Sequence, residues 1–179
     1  MQYQSVSADE LFAAMRLDNE SIVRQLVLRD ARVACSRDEA GVSAILHCLY
    51  EWNLRMLEIL LAASPRLDVF EAAALGKLGR LEELLLCTPE LASAWSSDGV
   101  TALHLACFYG QQDAVACLLE AGADPSARAH DEAGRTPLEE AASTGQENIV
   151  RLLLARGTEA DVCSDQGWAA LHIAASQAH

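Results

Sequence analysis

The feature that most constrains this chain is a recurring interval. Chain reversals fall at Asp18, Trp52, Gly76, Gly110, Gly145 and Ala178, at spacings of 34, 24, 34, 35 and 33 residues. A leucine-like pair follows each complete reversal: Leu26-Val27, Leu60-Leu61, Leu84-Leu85, Leu118-Leu119 and Leu153-Leu154, the last lagging by one residue. A fixed period of this size means one supersecondary unit used repeatedly, because a unit so small cannot bury its apolar face alone.

The clearest copy is DGVTALHLACFYGQQDAVACLLEAGADPSA, from Asp98 to Ala127. Asp98-Gly99 is a tight-turn dipeptide, since Gly accepts positive φ at little cost. Thr101 stands at an N-cap, and Leu103, Ala106 and Cys107 recur at helical spacing. Gly110 closes that helix as a left-handed cap. Val115, Leu118 and Leu119 give a second helix its apolar stripe, and Gly122-Ala-Asp-Pro125 breaks it.

A turn and two helices in about 33 residues resembles the ankyrin repeat. The matching motifs are GVTALHLACFYG (99–110), GRTPLEEAASTG (134–145) and GWAALHIAASQA (167–178). The N-terminal half, with GVSAILHCLYEWNLRMLEILL and DVFEAAALGKLGRLEELL, looks like the opening repeats of bacterial ankyrin proteins. The resemblance implies an all-α ankyrin repeat solenoid of stacked helical pairs with projecting β-turn fingers. It implies one ankyrin-repeat domain over 1–179, in units 5–37 (an N-terminal cap), 38–67, 68–95, 96–130, 131–163 and an incomplete 164–179.

Several units depart from the pattern. The first has no finger, opens on the capping box Ser7-x-x-Glu10, and should be polar on its outer face. Arg29 to Arg37 reads as a loop. In the second unit Leu46 replaces the family histidine and Trp52 replaces the reversal glycine. A tryptophan takes the left-handed region only at a cost, so Asn53 is expected to occupy it instead. The third unit is about ten residues short, which leaves no room for a finger between Ser64 and Phe70. The fifth opens on Thr136-Pro137 with Glu139 three residues after the threonine, a second capping box. The sixth stops at His179 just past its reversal. An array without a covered end would leave Ile149, Leu152 and Leu153 as an apolar flank and would associate there with further repeats or a second copy.

The charge is −13, from 13 Lys+Arg against 26 Asp+Glu. No Lys or Arg occurs between Arg80 and Arg128, a stretch that holds Glu82, Glu83, Glu90, Asp98, Asp113, Glu120 and Asp124. This disfavours nucleic acid and anionic membrane as partners, both of which are held by basic surfaces. The first residues lack a signal peptide's basic and apolar regions, and no segment reaches the roughly 18 apolar residues of a membrane span. The six cysteines show no paired spacing and read as small buried hydrophobes in a reducing, cytoplasmic setting.

Motifs for catalysis are missing. There is no phosphate loop, no G-x-S-x-G and no H-E-x-x-H, and neither a metal nor a cofactor is expected. Glu82-Glu83 and Glu139-Glu140 lie about 100° apart on a helix and do not face each other. His104 and Cys107, three residues apart, are the one arrangement that could be read as an activated thiol. A core cysteine beside a turn-tying histidine is the plainer reading. The ankyrin resemblance implies that Thr101 and His104 bond each other and neighbouring turns, that Thr136 joins the same network, and that His172 does so without its threonine.

What remains is surface. In the ankyrin architecture the positions before each reversal, and those after the finger glycine, line a concave face. That assigns partner contacts to Tyr50, Leu75, Val100, Phe108, Tyr109, Arg135 and Trp168. The expectation is a non-enzymatic module that binds a protein partner of mixed apolar and basic surface on that face. The alternative is a structural segment of a longer ankyrin-repeat protein with no independent binding at this length.

Overall fold

A computed structural model describes residues 6–131 and 133–158. Among them the chain is all helical, apart from single β-bridges at Arg37–Ser43 and Trp95–Thr101. Ten α-helices form five antiparallel pairs. These are α1 (Ala8–Arg16) with α2 (Glu20–Arg29), and α3 (Ala44–Tyr50) with α4 (Leu54–Leu61). After them come α5 (Val69–Ala74) with α6 (Leu78–Cys87), α7 (Ala102–Phe108) with α8 (Gln112–Glu120), and α9 (Pro137–Ser143) with α10 (Glu147–Ala155). The contacts gather into two compact bodies, Met1–Leu67 and Asp68–His179.

Each pair starts and turns by the same chemistry. A short hydroxyl or carboxylate side chain caps the first helix: Ser7, Ser43, Asp68, Thr101 and Thr136 each accept a backbone N–H three residues on. Each first helix then ends in paired hydrogen bonds back to its own last turn, around a residue of positive φ. At Gly110 these run from the Gly110 amide to the Cys107 carbonyl (3.3 Å) and from the Gln111 amide to the Ala106 carbonyl (2.8 Å). The same bonds surround Asp18, Trp52, Gly76 and Gly145, whose φ values are 49°, 54°, 62° and 70°.

Trp52, not Asn53, therefore takes the left-handed conformation. The reason lies in what Asn53 does. Its Oδ1 accepts from the Met56 amide (3.0 Å) to cap α4, and its Nδ2 donates to Asp18 Oδ1 (2.8 Å) in the preceding reversal. Moving the strain to Asn53 would forfeit both bonds, so the chain tolerates the roughly 1–2 kcal/mol cost at Trp52.

In the N-terminal body α2 packs against α4, and Leu11, Val23, Ile45, Leu46, Met56 and Leu60 are almost wholly buried. The sequence from Arg29 to Arg37 is not an open loop. Asp30 caps a 3-10 turn over Ala31–Cys35, which buries Val33 and Ala34. The exposed positions of the first repeat are mostly polar, among them Asp9, Glu10, Arg16, Ser21, Arg24, Gln25 and Arg29, with Leu17, Ile22 and Leu28 between them. A finger follows, in which the Asp38 amide donates to the Val42 carbonyl (2.9 Å).

From Ser64 to Asp68 the chain carries no bridge and passes directly to the cap of α5. In the C-terminal body α7 packs between α5 and α9, and α8 lies against both α6 and α10. Leu81, Leu103, Leu118, Ile149 and Leu153 fill the space between the two layers. Burial of Ile149 and Leu153 corrects the expectation of an open apolar flank there. Each such side chain removed from water contributes about 1.5–3 kcal/mol. Of that flank only Leu152 is partly accessible, and the neighbouring Leu154 is the exposed residue.

Candidate partner-binding surface

In the C-terminal body the first helices bring Leu75, Phe108, Tyr109 and Thr144 to the ends of α5, α7 and α9, each one or two residues before a reversal. Leu75, Phe108 and Tyr109 are half-buried. The Phe108 and Tyr109 rings meet edge to face, 5.0 Å between centroids and 83° between planes. Burial, followed by the charge of Asp98, pushes the Tyr109 phenol up to about 12.

The reversals are tied to one another by amide side chains. Gln111 Nε2 donates to the Ala74 carbonyl (3.2 Å), and the rest of its amide lies against the α-carbon of Gly76, where a Cβ would collide with it. Gln146 sits against Gly110 in the same way, 2.7 Å from where a Cβ would stand. Glycine at these positions is thus required twice, by its positive φ and by the amide above it. The sequence announced only the first requirement.

The fingers carry a second network. His104 Nδ1 accepts from the Thr101 amide (3.2 Å) and the Thr101 hydroxyl (2.8 Å). The imidazole proton is therefore on Nε2, which donates to the Arg135 carbonyl (3.0 Å) in the next finger. Burial lowers the His104 pKa, so the neutral ring is the folded form. In the next repeat Glu139 occupies the place of His104, with Oε2 accepting from the Thr136 amide (2.7 Å) and hydroxyl (3.0 Å). Its other oxygen is buried without a hydrogen-bond partner.

Arg135 and Val100 are both partly accessible on their fingers. Arg135 reaches Glu140 (3.5 Å), whose carboxyl is nevertheless raised by its burial, with Asp131 adding to the effect. Of the charged groups, Asp98 acts on Tyr109, while Asp131 and Arg135 act on Glu140.

Three features were not legible in the sequence reading. Trp95, a half-exposed ring, stacks on His130 at 3.7 Å and 16°. His47, one residue beyond the missing family histidine, binds Asp38 Oδ2 of its own finger (2.7 Å) and meets Phe12 edge-on. Hydrogen bonding from His47 holds the Asp38 carboxyl below its ordinary value. Third, the cysteines divide. Cys48 and Cys107 are buried, but Cys35 and Cys87 are exposed and Cys117 is intermediate, which corrects the expectation that all are core residues.

Tyr50 lies in the N-terminal body, at the end of α3 and exposed. Trp168 and His172 lie outside the described residues. The Cys107 thiol is fully buried and pushed far up by desolvation, so the arrangement with His104 does not form an activated nucleophile. Among the described residues, no cluster of His, Cys, Asp or Glu could hold a metal ion, and no helix is long and apolar enough to cross a membrane.

Comparison with known proteins accords with this geometry. The family model for ankyrin repeats matches three times, over residues 11–129, 69–164 and 126–179. The chain belongs to the ankyrin repeat family. It is similar to the tyrosine-protein kinase HTK16 of Hydra vulgaris, 42% identical over 89 residues, which are 48% of this chain and 11% of the kinase. It is also similar to the mouse B-cell lymphoma 3 protein homolog, 41% identical over 80 residues (45% of this chain, 18% of that protein). Human protein phosphatase 1 regulatory subunit 27 is 42% identical over 69 residues (38% of this chain, 44% of that protein). The chain thus spans less than half of each of these relatives, and all three come from eukaryotes.

Proposed function

We propose that this chain is a non-catalytic module that binds a protein partner through the face carrying Leu75, Phe108 and Tyr109. The observation that carries this reading is the edge-to-face Phe108–Tyr109 pair, half-accessible at the end of α7, with the charge of Asp98 acting on Tyr109. Aromatic side chains of this kind are favoured as anchors, and the acidic neighbour favours a partner segment that pairs apolar with basic residues. Val100 and Arg135 extend the surface along the fingers, and Trp168 would extend it further. Tyr50 supplies an exposed aromatic in the N-terminal body.

The exposed thiols of Cys35 and Cys87 favour a reducing compartment, so cytoplasmic residence is part of the proposal. A bacterial grouping rests on the N-terminal sequences alone. The kinase name of one relative does not transfer, because the match touches about a tenth of that protein. A second reading is that the chain is a stacking segment of a longer repeat protein, with no binding of its own.

The test is co-purification with mass spectrometry, then measurement of the recovered partner's affinity for the chain and for a Phe108→Ser/Tyr109→Ser variant. At least a tenfold loss of affinity, about 1.4 kcal/mol, with the helical content kept, supports the binding reading. Equal affinity would remove the site from this face, and no specific partner at all would favour the second reading.

A further inference from the structure

Among the described residues, the fifth finger and the first turn of α9 set the carboxyls of Asp131, Glu139 and Glu140 against one guanidinium, that of Arg135. Asp131 shapes the finger, its Oδ1 accepting from the Ala133 (3.0 Å) and Gly134 (2.8 Å) amides. Glu139 is wholly buried and uses one oxygen to cap α9 with Thr136, while the other oxygen has no hydrogen-bond partner. Buried carboxyls with so few donors are costly to keep charged.

Glu140 is the member of this cluster that can relieve the imbalance. Its side chain is 13% exposed, and among the described residues its carboxyl is bonded by Arg135 alone, at a long 3.5 Å. One weak bond does not replace the lost hydration. Burial therefore outweighs the arginine and raises the carboxyl above its ordinary 4.5, with Asp131 and then Glu139 adding to the rise. From α7 the titratable group facing Glu140 is the Cys107 thiol, which burial keeps neutral. From α10, also packed on α9, Glu147 and Arg151 pair with each other in solvent.

Arg135 is held so that only its side chain is free to move. Its carbonyl accepts from His104 Nε2 (3.0 Å) and from the Ala129 amide (2.9 Å), which pins the backbone of the finger. Its guanidinium, on a side chain 39% exposed, is tethered by Glu140. We propose that a proton on Glu140 unlatches the Arg135 side chain, so that the finger turns its guanidinium to solvent in mildly acid solution and holds it against α9 at neutral pH. The uncharged carboxyl no longer attracts the guanidinium, which gains more from water. The turn that carries Glu140 stays in place, because the Ser143 (2.8 Å) and Thr144 (3.2 Å) hydroxyls donate to its carbonyl. The release is a property of this chain alone. That the freed guanidinium then meets a partner rests on the binding role proposed above for this face.

NMR of the full chain without any partner tests the switch, following the Glu140 carboxyl and the Arg135 Nε–H group between about pH 4 and pH 8, which spans ordinary carboxylate and histidine titration. The expected result is a Glu140 midpoint above 4.5, an Arg135 resonance that moves with the same midpoint, and a lower Nε order parameter on the acid side. Glu140→Gln should hold the Arg135 resonance near its acid-side position at every pH. Asp131→Asn keeps the acceptor of the finger turn, should lower the shared midpoint, and guards against a folding failure of the first variant. A Glu140 midpoint at or below 4.5 overturns the proposal. So does an Arg135 resonance that ignores the Glu140 titration, or one that still titrates in Glu140→Gln and therefore follows His104. These readings need no partner, so they stand or fall separately from the binding role of the face.

Discussion

His104 Nε2 donates its proton to the carbonyl of Arg135, 3.0 Å away and 31 residues along the chain. The bond joins the cap of α7 to the finger that precedes α9, so one side chain both starts a helix and holds the next repeat in register. Its other nitrogen takes the Thr101 amide and hydroxyl, which leaves no ring nitrogen unmatched.

Removing that side chain should cost more than a surface cap. His104→Ala strands the Thr101 amide and the Arg135 carbonyl in a buried setting and opens a cavity. The expected loss is about 2–4 kcal/mol, from unsatisfied buried groups at roughly 1–3 kcal/mol each. Chemical denaturation of the variant measures it. A loss under about 0.5 kcal/mol would mean that the bridge contributes little.

The same histidine gives stability a pH dependence of defined sign. Burial lowers its folded pKa below the ordinary 6.5, so the unfolded chain takes up the proton more readily. Its contribution is therefore full above about pH 6.5 and is lost as the pH falls through the lowered folded value. His104→Gln keeps an acceptor and a donor without titrating. The melting temperature of the wild type relative to this variant should fall on acidification below pH 6.5 and stay level above it.

Alkylation should sort the cysteines by burial. Cys35 and Cys87 are exposed and should react in minutes at pH 8. Cys48, whose thiol burial pushes up to about 12, and Cys107, which is wholly buried, should react only on unfolding. Peptide mapping after timed labelling reads all four sites. Early modification of Cys107 would mean that the core around α7 opens readily.

The reversals predict opposite responses to reciprocal changes. Gly110→Ala puts a Cβ 2.7 Å from Gln146 Oε1 at a φ of 74°, and should destabilise by about 1–3 kcal/mol. Trp52→Gly relieves the same conformation and should be neutral or stabilising by up to about 1 kcal/mol. Thermal melts of the two variants beside the wild type provide the comparison.

The repeating helical pairs, the caps at Ser7, Thr101 and Thr136 and the glycine reversals were legible in the sequence, whereas the Asp68–Glu71 capping box of α5 was not. Each depends on residues within about four positions of one another, and local backbone chemistry is the same in any context. Thr101, Thr136 and Gly110 act where their neighbours say they should. The tertiary structure alone decided which groups meet across repeats. The pairings of His104 with the Arg135 carbonyl, Asn53 with Asp18, Gln146 with Gly110 and Trp95 with His130 join residues 31 to 36 positions apart. They exist only once the stacking register is fixed. That register also overrode a local preference at Trp52, because Asn53 had two partners to lose and the tryptophan backbone had only strain to bear. It likewise separated buried Cys107 from exposed Cys87. The side a cysteine faces depends on where the neighbouring helix lies, and no local spacing records that.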